Sequence, residues 1–230
     1  MCTLPLVYST ALYVLQSRAN LQPGESVLIH AGASAVGLAA IHIARWLGAG
    51  EIYTTVSSAE KKAYLVEHLG IEPSRVFNSR DASFVDGIRE VTGGRGADVV
   101  LNSLTGELLH ASWACCAGFG RFVEIGKRDL TDGGRLDMGQ FLKSATFTAF
   151  DLTDLYYSRN TAYNKTWAGL LEQVVRMYRA RELREFLTQV LDVENIRCVQ
   201  EGGLLGQDRK GKWTGRPPYL PLMAVDGLTR

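Results

Sequence analysis

Long hydrophobic runs are missing from this sequence. No apolar stretch approaches the roughly 20 residues that a membrane-spanning helix needs, so no membrane partner is expected. A basic start ahead of an apolar segment is missing too, and the opening MCTLPLVYSTALYVLQSRANL reads as a helix rather than a signal peptide. Charge of one sign is not in excess. Lysine plus arginine number 25 against 24 aspartate plus glutamate, a formal net charge of +1, which gives no electrostatic case for nucleic acid or an anionic surface. Cysteine is scarce. Of the four, Cys115 and Cys116 are adjacent while Cys2 and Cys198 stand alone. None has metal-ligand spacing, so no metal is expected, and reduced thiols in an intracellular, cytoplasmic protein are the simplest account.

What is present suits one sizeable core. The chain has 230 residues, 46% of them hydrophobic and 21% charged, the balance of an ordinary globular protein. Strand-like runs fall at 26–31, 51–56, 75–79, 97–103, 120–126 and 145–151. Helix-like segments fall between them at 35–47, 59–69, 83–92, 107–116 and 138–143. Most of these runs are short and almost continuously apolar, as strands are when helices cover both faces of a parallel sheet. The alternation predicts an α/β doubly wound domain with six parallel strands in the order 3-2-1-4-5-6. A long helix is expected at about 162–181, with Trp167, Leu170, Leu171, Val174, Val175 and Tyr178 among its apolar positions. Residues 199–230 are rich in glycine, proline and charge without a clear period, and read as a poorly ordered tail.

The stretch HAGASAVGLAAIHIAR, His30 to Arg45, is where chemistry first suggests itself. An apolar strand, a turn of small residues and an amphipathic helix open a dinucleotide-binding unit, whose fingerprint is G-x-G-x-x-G. Here Gly32 and Gly37 are in place, but the middle position is Ser34. Serine there costs little if its φ is negative. The turn then offers Gly32, Ala33, Ser34, Ala35, Val36 and Gly37 to a pyrophosphate at the helix N-terminus. The competing reading is a turn whose small residues only let the helix pack on the sheet.

The end of the second strand carries the next signal. An NAD site wants a carboxylate there for the ribose hydroxyls. This chain has TTVSSAEKK: Ser57 and Ser58, then Lys61 and Lys62, with no acid before Glu60. Hydroxyls and ammonium groups suit a 2′-phosphate, which favours NADPH. Ser58 fits equally as a helix N-cap, with the lysines on a solvated face. Asn102 and Ser103 end the fourth strand and Gly126 and Lys127 the fifth, where a nicotinamide ribose would lie. His30 and His110 are assigned no role, and Cys115 and Cys116 are placed in the core, in the helix after the fourth strand.

Four stretches together, LQPGESVLIHAGASAVGLAAI, FNSRDASF, GADVVLNSLTGELLHAS and FGRFVEIGKRDL, resemble one family. It is the enoyl reductase domain of fungal highly reducing polyketide synthases and animal fatty acid synthase, in the zinc-free, quinone-reductase-like branch of the medium-chain dehydrogenases/reductases. The resemblance runs from about residue 3 to about 198. It implies NADPH-dependent reduction of the 2,3 double bond of an enoyl thioester held on an acyl carrier protein. It also implies a homodimer paired through the edge strand 145–151. By the same resemblance Lys61 and Asp81 correspond to proposed proton donors, and Arg80 adjoins them as a phosphate partner. On the residues alone, Lys61 reads also as a phosphate or surface residue and Asp81 as a helix N-cap.

The chain departs from that family at both ends. A GroES-like β-domain of roughly a hundred residues is expected before it, of which residues 1–22 would be only the linking helix. The dinucleotide-binding domain is then 23–160, a helical segment 161–198, and 199–230 an unrelated tail. A fragment is therefore expected. Two other functions stay open, a catalytically incomplete dinucleotide-binding or dimerisation fragment and a quinone oxidoreductase.

Overall fold

The computed structural model of this chain describes residues 4–183. The expected tail at 199–230, the end of the 161–198 segment, Cys2 and Cys198 lie outside the described residues. The strands are β1 (Ser26–Ile29), β2 (Glu51–Val56), β3 (Val76–Asn78), β4 (Ala97–Asn102), β5 (Cys116–Glu124) and β6 (Thr146–Ala149). All five pairings are parallel, in the order β3-β2-β1-β4-β5-β6. This is the doubly wound α/β fold that the alternating signals predict. The helices are α1 (Leu4–Leu12), α2 (Ala35–Trp46), α3 (Ala59–Leu69), α4 (Ser83–Val91), α5 (Glu107–Ala114), α6 (Arg128–Thr131), α7 (Leu152–Tyr156) and α8 (Thr161–Arg179). Among the described residues no helix is long and apolar enough to cross a membrane.

The central strand has every residue buried, as a strand covered on both faces must be. On one side of the sheet Leu28, Val100 and Phe122 meet Phe84 and Ile88 of α4 and Leu109 and Trp113 of α5. Phe84 and Ile88 are spaced i, i+4, which turns both to the sheet and leaves the acidic and basic residues of α4 outside. Trp113 is fully buried, meets Phe122 and Phe147 edge-on, and donates its indole N–H to the Asp137 carbonyl at 3.0 Å. α1 packs on α2 and α8. Its Val7, Tyr8, Ala11 and Leu12 are buried, and Tyr8 Oη meets His42 Nδ1 of α2 at 2.6 Å. The expected linking helix is thus part of the fold's own packing. On α8 the buried positions are Leu170, Val174 and Met177, while Val175 is exposed, so the stripe turns a little from the expected one.

Element boundaries shift for identifiable reasons. The strand expected at 26–31 stops at Ile29, because Ala31 takes a left-handed conformation at φ 51°. The helix expected at 107–116 stops at Ala114, and the strand expected at 120–126 begins at Cys116 and ends at Glu124. Cys116 is therefore a strand residue, not a helix residue. Ala97 donates its N–H to Cys115 O at 2.9 Å and pairs with Cys116, and the register then shifts before Val99 as Phe119 turns to φ 57°. A bulged strand start following directly on a helix leaves no polar break for the sequence to show. Both thiols are core, and burial pushes each up to about 12, so neither is a nucleophile at neutral pH. Residues 138–143 are a 3₁₀ turn, and the helices of four and five residues at α6 and α7 are too short for a periodic signal.

Candidate functional site

At the C-terminal end of β1 the chain makes its turn of small residues. Thr54 Oγ1 donates to Ile29 O at 2.9 Å, and a side chain on Gly32 would overlap that hydroxyl. A side chain on Gly37 would overlap Ala31 O and lie 2.7 Å from Gly32 Cα. Both glycines are thus required by packing of the turn on β2 and of α2 on the turn. Ser34 sits at φ −81°, where serine is unstrained, and caps α2 by accepting the Gly37 N–H at 3.1 Å. That geometry explains how the middle glycine can be replaced. Ser34 and Ala35 are exposed and Ala33 and Val36 half-buried, so the first turn of α2 faces solvent across this loop.

A buried strut holds the turn from beneath. Ser112 donates to Leu108 O at 2.7 Å, so its oxygen is left to accept from His30 Nε2 at 2.8 Å. His30 Nδ1 then accepts from Thr55 Oγ1 at 3.0 Å, and Thr55 accepts the Ala31 N–H at 3.3 Å. Burial lowers the imidazole to about 3, so it is neutral and serves as a structural link between β1, β2 and α5.

The end of β2 gathers cations. Ser58 caps α3, accepting the Lys61 N–H at 3.4 Å, and Lys61 Nζ reaches Ser57 Oγ at 3.3 Å. Burial first, and the charge of Arg80 second, lower the Lys61 ammonium below its ordinary value. Lys62 is committed elsewhere, donating to the Val76 carbonyl at 2.9 Å. Asp81 is exposed and holds its own turn, accepting the Ser83 N–H at 2.9 Å and the Asn78 amide at 2.6 Å. Hydrogen bonds from Ser83, then from Asn78, keep its carboxyl below the usual range. An acid so held is ionised at neutral pH and has no proton to give.

The ends of β4 and β5 form a second group. Asn102 and Glu124 are the last residues of their strands, paired in register and both buried. Asn102 Nδ2 donates to Glu124 Oε2 and, at 2.9 Å, to Leu104 O; Glu124 Oε1 accepts the Gly126 N–H. Ser103 and Gly126 are half-buried beside them. Lys127 is exposed and pairs with Asp151 after β6. Burial raises Glu124 to about 7, against the hydrogen bonds from Asn102 and Gly126. Glu124 has no signal in the sequence, because FVEIG shows one acid in a strand and its burial depends on neighbours far along the chain.

The fold therefore sorts the expected residues into three places: the α2 turn, the Ser57–Lys61–Arg80 corner and the β4/β5 end. β2 and β5 are three strand spacings apart, about 14 Å, so Lys61 and the β4/β5 group stand at opposite sides of the α2 turn. Among the described residues no three His, Cys, Asp or Glu side chains are grouped to hold a metal ion, and they do not fit a zinc site.

The model of the zinc-binding dehydrogenase family matches residues 35–175. A highly reducing polyketide synthase of Penicillium roqueforti is 58% identical over 184 residues, 80% of this chain and 9% of the relative; one of Aspergillus ruber is 53% identical over 212 residues, 92% of this chain and again 9% of the relative. The chain thus spans about 9% of the length of these curated relatives. Among solved structures, the nucleotide-binding subdomain of the enoylreductase domain of PpsC from Mycobacterium tuberculosis is 37% identical with a TM-score of 0.70, covering 80% of this chain and 98% of that one. The CurK enoyl reductase is 35% identical with a TM-score of 0.72, covering 87% of this chain and 58% of that one. The chain belongs to the zinc-binding dehydrogenase family and, within it, to the group of polyketide synthase enoyl reductase domains. The cofactor of such a domain is a nicotinamide dinucleotide.

Proposed function

We propose that this chain is the cofactor-binding part of an enoyl reductase that uses NADPH to reduce the 2,3 double bond of an enoyl thioester carried on an acyl carrier protein, in polyketide chain elongation. The observation that carries the choice of NADPH is the corner at the end of β2. Lys61 is half-buried beside Ser57, and the positive field of Arg80 lowers it further. Two cations that repel each other next to a hydroxyl, with no acid before Glu60, make a place where a 2′-phosphate relieves the repulsion and accepts charge-assisted hydrogen bonds. The N–H groups at the start of α2 would take the pyrophosphate, and Asn102, Ser103, Gly126 and Lys127 would flank the nicotinamide half.

When bound, the reduced nicotinamide supplies hydride to Cβ of the substrate. Asn102, Ser103 and Gly126 at the β4/β5 end would hold that ring, and Ser57, Lys61 and Arg80 at the end of β2 would hold the adenosine phosphate. A proton donor must lie within hydrogen-bond reach of its target. Lys61, at the adenosine end in this orientation, matches phosphate binding better than delivery to Cα, and Asp81 is ionised. A homodimer through β6 and a cytoplasmic location go with the reading. The test is titration of the purified chain with NADPH and NADH in parallel, read by nicotinamide fluorescence. NADPH binding at least tenfold tighter is expected, and equal affinities would refute the 2′-phosphate assignment.

A further inference from the structure

Glu124 is the least expected group in the molecule. It is 1% exposed, carries no ion pair among the described residues, and closes β5 beside the wholly buried Asn102. Both oxygens of its carboxyl face donors: Oε1 the Gly126 N–H, Oε2 the Asn102 amide. Asn102 in turn grips the next loop from both sides, donating to Leu104 O at 2.9 Å and accepting the Leu104 N–H at 3.3 Å. The loop after β4 and the loop after β5 are thus fixed to each other through one carboxylate. A Cβ on Gly126 would lie 2.6 Å from Glu124 Oε1, so a side chain there would push the carboxylate out of this contact. The surrounding charges are Asp129 on α6, which also accepts the Gly106 N–H at 3.1 Å, and the Lys127–Asp151 pair joining the β5 loop to the N-cap of α7.

We propose that Glu124 is a positioning residue for the nicotinamide end of the site: as a carboxylate it locks the 103–106 and 125–127 loops together through Asn102 and Gly126, and as a carboxylic acid it releases one of them. The proposal rests on the dinucleotide reading given above. The physical reason is donor counting. A carboxylate accepts on both oxygens; a carboxylic acid puts a hydrogen on one, which then faces another donor. Burial pushes the Glu124 carboxyl up to about 7, against the pull of the Asn102 and Gly126 hydrogen bonds and with Asp129 adding to the rise. The change of state therefore falls near neutrality, where an ordinary glutamate would be fully ionised. Cofactor affinity should rise as the pH passes upward through neutrality.

The experiment uses the whole chain in two parallel measurements between pH 5.5 and 8.5. The first follows the Gly126 and Leu104 amide signals by NMR without cofactor. The second follows NADPH affinity by fluorescence. The 2′-phosphate itself titrates near about 6, so the quantity read is the wild-type pH dependence beyond that of Glu124→Gln, which keeps the phosphate's share. The expected result is a Gly126 amide that titrates with a midpoint near 7 in the wild type and not in Glu124→Gln. An affinity gain of about tenfold across the same range in the wild type alone should accompany it, the worth of one hydrogen bond to a charged group. A Gly126 signal flat through this range in the wild type overturns the proposal without recourse to any variant. So does an affinity profile that Glu124→Gln leaves unchanged. Failure of NADPH to bind at any pH while Gly126 still titrates would instead strike the dinucleotide reading, and the cofactor half of this proposal with it.

Discussion

At the scale of single residues, the two lysines that look alike in SAEKK are not alike in space. Lys61 faces Ser57 and the field of Arg80, whereas Lys62 holds the backbone of β3. Lys61→Ala should weaken NADPH by roughly 1.5–3 kcal/mol, the worth of a hydrogen bond to a charged group, and leave NADH nearly unchanged. Lys62→Ala should cost up to about 1 kcal/mol of stability and leave the ratio of the two cofactors alone. Titration with both cofactors checks this, and equal losses for both in Lys61→Ala would remove Lys61 from the phosphate site. Gly37 gives a second expectation. A methyl group there meets backbone on two sides, and backbone cannot turn away as a side chain can. Gly37→Ala should cost about 1–3 kcal/mol of stability, as overpacking does, and should lower NADPH affinity because α2 must shift away from the turn. Native affinity and stability in this variant would contradict the crowding of the turn. The sequence could name these residues but not divide their tasks. Ser58 was legible as cap or phosphate ligand, and its oxygen caps α3 in the structure. Ser34 was legible as a tolerated substitute, and its φ shows why. Glu124 was not legible, because a lone acid in a strand is silent until the fold covers it.

At the scale of elements, the strands and their order were readable because parallel strands under two helical layers are almost continuously apolar, a pattern clear in the inner runs and weaker in β3 and β6 at the edges. The ends were not readable where tertiary contacts decide them: the left-handed Ala31, and the bulged start of β5 against α5. β6 is an edge strand bonded to β5 alone. Phe150 donates its N–H to Glu124 O at 2.9 Å, on the inner side. Successive N–H groups point to opposite sides of a strand, so Thr148 also donates inward and Ala149 outward. An outward ladder on an exposed edge is a template for pairing with a second copy, which a two-fold axis would make antiparallel and self-complementary. Ala149→Pro removes an outward donor without touching the β5 ladder. Sedimentation should show the wild-type chain as a dimer and this variant as a monomer that still binds NADPH. A wild-type monomer at high concentration would refute pairing through β6. Thr148→Pro is the contrasting control, since it should unseat β6 from β5 and destabilise the fold.

At the scale of the whole molecule, two acids at opposite ends of the sheet, Asp98 half-buried and Glu124 buried, set its response to pH in opposite senses. Asp98 lies at the N-terminal end, where it accepts the Ser26 N–H at 2.8 Å and Ser26 Oγ at 2.6 Å and pairs with Arg95. Burial alone would raise it, but the hydrogen bonds from Arg95 and Ser26 outweigh that and hold it at about 2. Its folded value lies below its unfolded one, so its contribution is complete above about pH 4 and is lost as the pH falls toward 2. After solvent screening this is worth about 1–2 kcal/mol. Glu124 lies at the C-terminal end and is raised by burial to about 7. Its folded value lies above its unfolded one, so the folded state holds the extra proton between about pH 4.5 and 7. Stability therefore falls as the pH rises through that window. Thermal denaturation from pH 2 to 8 should show a maximum on the acid side of neutrality. Asp98→Asn should flatten the limb below pH 4, and Glu124→Gln should flatten the limb between 4.5 and 7. The same proton that stabilises the fold in that range is the one whose loss completes the clamp on Gly126. Maximal stability and the best-formed nicotinamide end then fall at different pH values, and a melting curve with no decline from pH 5 to 7.5 would show that Glu124 carries neither effect.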